Sequence, residues 1–81
     1  MKWTHEQPKT PGWYWVGKKY YDDPYLYDIT IISVISFDDD HNPYVFDDRV
    51  GISRLDKYCD MDITYFAGPI PEPERPEDEQ Q

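Results

Sequence analysis

The stretch Pro11-Gly12-Trp13-Tyr14-Trp15-Val16 constrains this chain more than any other. A turn dipeptide is followed at once by three large aromatics and a valine. Each buried aromatic side chain removes about 150–250 Å² from water. A chain of 81 residues buries only a modest share of the surface that its unfolded form exposes. Such a run therefore belongs at the centre of the core. Strand side chains alternate, so Trp13 and Trp15 share one face and Tyr14 and Val16 the other. The two tryptophans are read as core, in a first strand over Gly12 to Lys19.

Leu26 to Phe37 carries the strongest β signal. Its Ile, Val and Thr residues favour a pleated, half-buried surface. Ile29, Ile31, Ile35 and Phe37 fall on one face with Ser33. Ile32 and Val34 fall on the other with Thr30 and Ser36. Apolar residues on both faces predict a central strand, or one that curls through a barrel. Between these two strands, Asp22-Asp23-Pro24 reads as a turn. Tyr44-Val45-Phe46 is a short third strand. In Val50 to Leu55, Ser53 and Asp56 have the spacing that caps a short helix running to Tyr58 or Cys59. Asp62 to Phe66 is the last strand, and Gly68 and Pro69 end it. Met1 to Pro11 is an extended lead-in, with Trp3 folding back on the sheet.

These elements predict an all-β or mostly β fold: a small curled antiparallel sheet of four or five strands with at most one short helix. A single β domain is expected over 1–71. The stretch 72–81 holds Glu, Pro, Asp, Arg and Gln alone. With no apolar residue to offset ordering entropy, it reads as a disordered acidic tail.

The net charge of −9 is unevenly placed. Acid and base balance up to Ser36. All of the excess acid follows, beginning with Asp38, Asp39, Asp40, Asp47 and Asp48 in two loops that flank the third strand. Flanking one short strand, the two loops are expected to lie close in space. A field of this sign repels nucleic acid backbones and membrane surfaces, and it favours basic protein partners. The run Ile29 to Phe37 is too short and too interrupted to cross a bilayer. With its one cysteine, Cys59, the chain has no disulfide framework and suits a reducing cytoplasm.

The residues offer little for catalysis, and no cofactor is expected. Asp38, Asp40 and Asn42 match the first three ligand positions of a calcium loop. Pro43 and Arg49 then stand where that loop needs Gly and a bidentate Glu, so no metal site is expected. His5 and His41 have no zinc-ligand spacing. Cys59 would need His41 as its base and lacks an orienting group, so it reads as a half-buried small hydrophobe and the chain as a non-enzyme. The tyrosines exceed what such a core can hold. Tyr20, Tyr21 and Tyr44 are assigned to the surface, where Tyr is a contact residue.

Two stretches, Pro11-Gly12-Trp13-Tyr14-Trp15-Val16 and Ile63-Thr64-Tyr65-Phe66-Ala67-Gly68-Pro69-Ile70-Pro71-Glu72-Pro73, together resemble small uncharacterised proteins of tailed phages and prophages. Those proteins open with an aromatic strand after a Pro/Gly turn. They close on an aromatic strand followed by Gly-Pro-Ile-Pro or a similar run. Phe66 stands where many of them carry Trp, and the centre of the chain does not match. The resemblance implies an accessory phage product in a bacterial cytoplasm. By analogy, some such proteins inhibit host complexes by placing carboxylates where DNA phosphates would sit. The expected function is therefore to bind and inhibit a host protein with a basic surface. Asp38, Asp39, Asp40, Asp47 and Asp48 supply the charge and Tyr44 the aromatic anchor. Two alternatives stand beside it. One is sequestration of a nucleotide signal by exposed aromatics with Lys18 or Lys19. The other is assembly, including homodimer formation, through an edge strand.

Overall fold

The computed structural model describes residues 2–72. Five strands form one antiparallel sheet: β1 (Gly12–Lys18), β2 (Tyr27–Phe37), β3 (Pro43–Asp47), β4 (Gly51–Arg54) and β5 (Thr64–Ile70). A one-turn helix, α1 (Leu55–Tyr58), follows β4 directly. The spatial order is β4-β3-β2-β1-β5. The first four strands are a meander. The chain then passes across one face through α1 and returns to the far side of β1. β2 is the central strand, as its two apolar faces predict. The sheet does not close into a barrel, because β4 and β5 are separate edges. The β5 edge is partly covered by the N-terminal segment: Thr4 exchanges two 2.8 Å backbone hydrogen bonds with Phe66.

The core lies on the face that α1 covers. Tyr14, Val16, Ile32, Val34, Val45, Leu55 and Phe66 are buried together, with Phe37, Tyr58, Cys59 and Met61 packed against them. The expectation for β1 is thus reversed. Tyr14 and Val16 are buried, whereas Trp13 and Trp15 are half-buried on the opposite face. The reason is positional. Leu55 arrives on the Tyr14 side, and a helix of four residues covers one face only. Tyr14 tolerates burial because its hydroxyl donates to the Thr10 carbonyl at 2.8 Å.

Three irregularities decide which side chains reach the core. Asp28 (φ 52°) and Ile29 stand opposite Gly17, between the pairs Val16↔Thr30 and Lys18↔Tyr27. Ile35 is an extra residue between the pairs Val34↔Val45 and Ser36↔Tyr44. It shifts the alternation by one, so Phe37 packs with Ile32 and Val34 rather than sharing a face with Ile31. The third lies in β5, where Gly68 and Pro69 fall between the pairs Trp13↔Ile70 and Trp15↔Ala67. β5 therefore runs through Pro69 to Ile70 instead of ending at Phe66. The Gly68-Pro69 peptide is cis. Gly68 has φ 147°, and a Cβ there would meet the Trp13 carbonyl oxygen and the Tyr14 ring at 3.0 Å. Only glycine fits that crossing.

α1 begins at the expected place, but Ser53 does not cap it. The N-cap position is Arg54, with no side-chain cap, and the Ser53 hydroxyl donates to the Arg54 carbonyl instead. Most of the expected acidic tail lies outside the described residues.

Candidate interaction surface

The uncovered face of the sheet is built from side chains that alternate with the core. Register places Ile52 beside Phe46, Phe46 beside Ser33, Ser33 beside Trp13 and Trp13 beside Ile70. This single row crosses all five strands, about 19 Å at the usual inter-strand spacing. Ile31 and Trp15 form a second row against Ala67. Ile52 is 65% exposed and Phe46 42% exposed. Among the described residues, α1 is the one helix and it packs on the other side. Four of the five positions in this row are apolar, with Ser33 at its centre, and exposed apolar surface of this kind marks interaction sites.

Tyr44 belongs to the same face. It lies two residues before Phe46, is half-buried, and pairs in register with Ser36 and Arg54. The other tyrosines assigned to the surface, Tyr20 and Tyr21, are exposed in the loop after β1. Lys19 lies 5.7 Å over the Tyr65 ring, and Lys18 pairs with Asp28 at 3.6 Å.

The acidic loops sit at opposite ends of β3 rather than close together. At about 3.4 Å per residue, a five-residue strand separates them by well over one side-chain length. Their carboxylates also divide into two kinds. Asp38 accepts from the backbone amides of Asp40 and Asn42, both at 2.9 Å, and from the Asn42 side chain at 3.2 Å. Asp47 accepts from the Arg49 amide and the Tyr58 hydroxyl, both at 2.7 Å, with the Arg49 guanidinium at 3.4 Å. Asp23 and Asp60 hold the amides of Tyr25 and Asp62 in the same way. Each connection between successive strands thus has an Asp, within it or at the strand end that enters it, that binds the amide two residues on, a turn device of short polar side chains. Asp39, Asp40 and Asp48 differ. They are exposed, and their carboxylates accept none of the hydrogen bonds among the described residues.

The hydrogen bonds to Asp38 and Asp47 lower both carboxyls. The Tyr58 hydroxyl, then the Arg49 amide and side chain, hold Asp47 down at about 2. The Asn42 amide is the main cause that lowers Asp38. Burial, then the bond to Asp47, pushes Tyr58 up to about 12. Burial also pushes the Cys59 thiol up. Its sulfur faces the Leu55 carbonyl oxygen at 3.6 Å and Met61 Sδ at 3.7 Å, so it stays protonated beside groups that do not activate it.

Among the described residues, no three of His, Cys, Asp and Glu converge to hold a metal ion. No described helix is long and apolar enough to cross a membrane. The chain matches no protein-family model, no curated protein and no solved structure. The first and last strands meet as direct neighbours: β1 pairs with β5 from Trp13↔Ile70 to Lys18↔Thr64.

Reading Trp13 and Trp15 as core hides the open face in the sequence, although Tyr44, on the same face, is read as a surface contact. A signal for it was present in Phe46 and Ile52. Phe46 is followed by Asp47, and Ile52 stands between Gly51 and Ser53, in the two shortest strands of the sheet.

Proposed function

We propose that this chain is a non-enzymatic binding protein that covers a basic surface of a protein partner. The observation that supports this reading is the apolar row Ile52–Phe46–Trp13–Ile70, left open on the sheet and bordered by acid near both ends of β3. The arrangement is that of a contact surface: an aromatic and aliphatic centre with a charged rim. Trp13, Phe46 and Ile52 supply the apolar contact, and Tyr44 flanks them. Asp39, Asp40 and Asp48 supply negative charge that is free to meet Lys or Arg. Asp38 and Asp47 act mainly by holding the loops in shape. A partner of matching chemistry has an apolar patch edged by cations, as nucleic-acid-binding proteins do. The likeness to phage proteins adds the context of an inhibitor acting on a host complex in a bacterial cytoplasm.

The test is capture from bacterial lysate with wild type, a Phe46→Ser/Ile52→Ser variant and an Asp39→Asn/Asp40→Asn/Asp48→Asn variant. The apolar variant is expected to lose capture. The Asn variant is expected to capture less, and wild-type capture to weaken at high salt, because exposed charges are screened. Equal capture by all three proteins at both salt levels would contradict the reading.

A further inference from the structure

The covered face of the sheet opens, beyond the core, into a cleft of about 840 Å³. This lies within the range of small-molecule sites, about 300–1,000 Å³. Val16 and Thr30 form its floor, the turn after β3 forms one wall and the end of α1 the other. Three of the chain's eight Lys and Arg residues line it: Lys18, Arg49 and Lys57. They converge from three separate elements of a protein whose net charge is −9.

Two carboxylates also line the cleft, Asp28 and Asp47. Both are already engaged. Asp28 pairs with Lys18 at 3.6 Å. Asp47 is held by the Tyr58 hydroxyl and by the Arg49 amide, both at 2.7 Å. The Arg49 side chain is 80% exposed and meets Asp47 through Nε and one terminal nitrogen at 3.4 and 3.5 Å. Such long bonds leave donors available to a stronger acceptor. Lys57 makes none of the ion pairs among the described residues. Thr30 and Ser53 also line the cleft, the Ser53 hydroxyl already donating to the Arg54 carbonyl.

We propose that this cleft binds a small organic anion of mononucleotide type, with Lys18, Arg49 and Lys57 holding the phosphate and Val16 and Val50 contacting its less polar body. The phosphate needs several donors that converge without a matching number of free carboxylates. The body needs apolar wall beside them. The cleft supplies both. Ile52 of the open row also lines it, whereas Phe46 and Trp13 do not, so a Phe46→Ser variant separates this proposal from the protein-binding reading.

The experiment is a titration of the full-length ¹⁵N-labelled chain with adenosine monophosphate, followed by amide shifts. Parallel arms use adenosine and inorganic phosphate. Shifts at Lys18, Lys57, Tyr58 and Cys59 are expected with the mononucleotide. Smaller shifts at the same residues are expected with phosphate. Lys18→Glu/Lys57→Glu should weaken binding by more than about tenfold, and Lys57→Met alone should weaken it less. Phe46→Ser, on the other face, should bind the mononucleotide like wild type, even if it has lost protein capture. Absence of saturable shifts at millimolar mononucleotide would overturn the proposal. So would shifts confined to Trp13 and Phe46, equal binding of adenosine, or full binding by a folded Lys57→Met variant.

Discussion

The two faces of this sheet are made of the same kinds of residue and meet different fates. On one, Tyr14, Val16, Ile32, Val34, Val45 and Phe66 are closed over by Leu55 and the residues that follow it. On the other, Trp13, Trp15, Ile31, Phe46 and Ile52 stay half-buried or exposed. Hydrophobicity does not separate them, since the tryptophans are on the open side. What separates them is one turn of helix and the strand return that passes over a single face. Burial here is set by where the chain crosses, and the uncovered face is left available for contact.

The largest effect expected from this comparison is at the closed face. Phe66→Ala should cost about 3–5 kcal/mol and Leu55→Ala about 2–5 kcal/mol, enough to unfold most of a domain whose total stability is of that order. Thermal or urea melts check this. On the open face Ile52→Ser should change stability by less than about 0.5 kcal/mol. Similar losses from Ile52→Ser and Leu55→Ala would erase the distinction between the faces.

Gly68→Ala is next in size. The new methyl would press on the Trp13 carbonyl and the Tyr14 ring at 3.0 Å, at a φ of 147°. The loss should exceed about 1 kcal/mol, and it should fall on both faces, because this crossing holds β5 in register with β1. A melting temperature equal to that of wild type would show that the strands re-register freely.

A smaller effect concerns acid. Asp47 is depressed to about 2 in the folded chain from an ordinary value of 3.8, and Asp38 is lowered in the same direction. A depressed carboxylate stabilises the fold above its unfolded value. That contribution is lost as pH falls from about 4 toward 2. Asp47→Asn should therefore melt earlier than wild type at neutral pH and show a flatter loss of stability across that acid window. Identical acid profiles for the two proteins would remove Asp47 from the account of how the loop is held.

Much of this architecture was legible in the sequence, and its failures are instructive. The strands over Trp13 to Val16, Ile29 to Phe37 and Tyr44 to Phe46 could be read because β-branched and aromatic runs stop at Pro, Gly and Asp. The choice of face for Trp13 could not. Alternation divides residues into two sets but does not say which set the crossing chain will cover. Extra residues at Asp28 and Ile35 and at Gly68-Pro69 also change which side chains share a face, and periodicity assumes no such insertions. For the loops, composition suggested a charge cluster, while turn chemistry had the sharper message. Asp38 and Asp47 each stand two residues before an amide that they bind, so part of the acid serves the backbone. The carboxylates that hold no turn are Asp39, Asp40 and Asp48, a narrower set than the five aspartates taken together.

The central claim is that the uncovered face is the one that meets a protein partner. A photoreactive phenylalanine analogue placed at Phe46, which lies outside the cleft, and separately at Lys57, which lines it, tests it directly. After irradiation in bacterial lysate, the account predicts a discrete cross-linked protein from position 46 that disappears when Ile52→Ser is added, and none from position 57. A discrete adduct from position 57 with none from position 46 would contradict it.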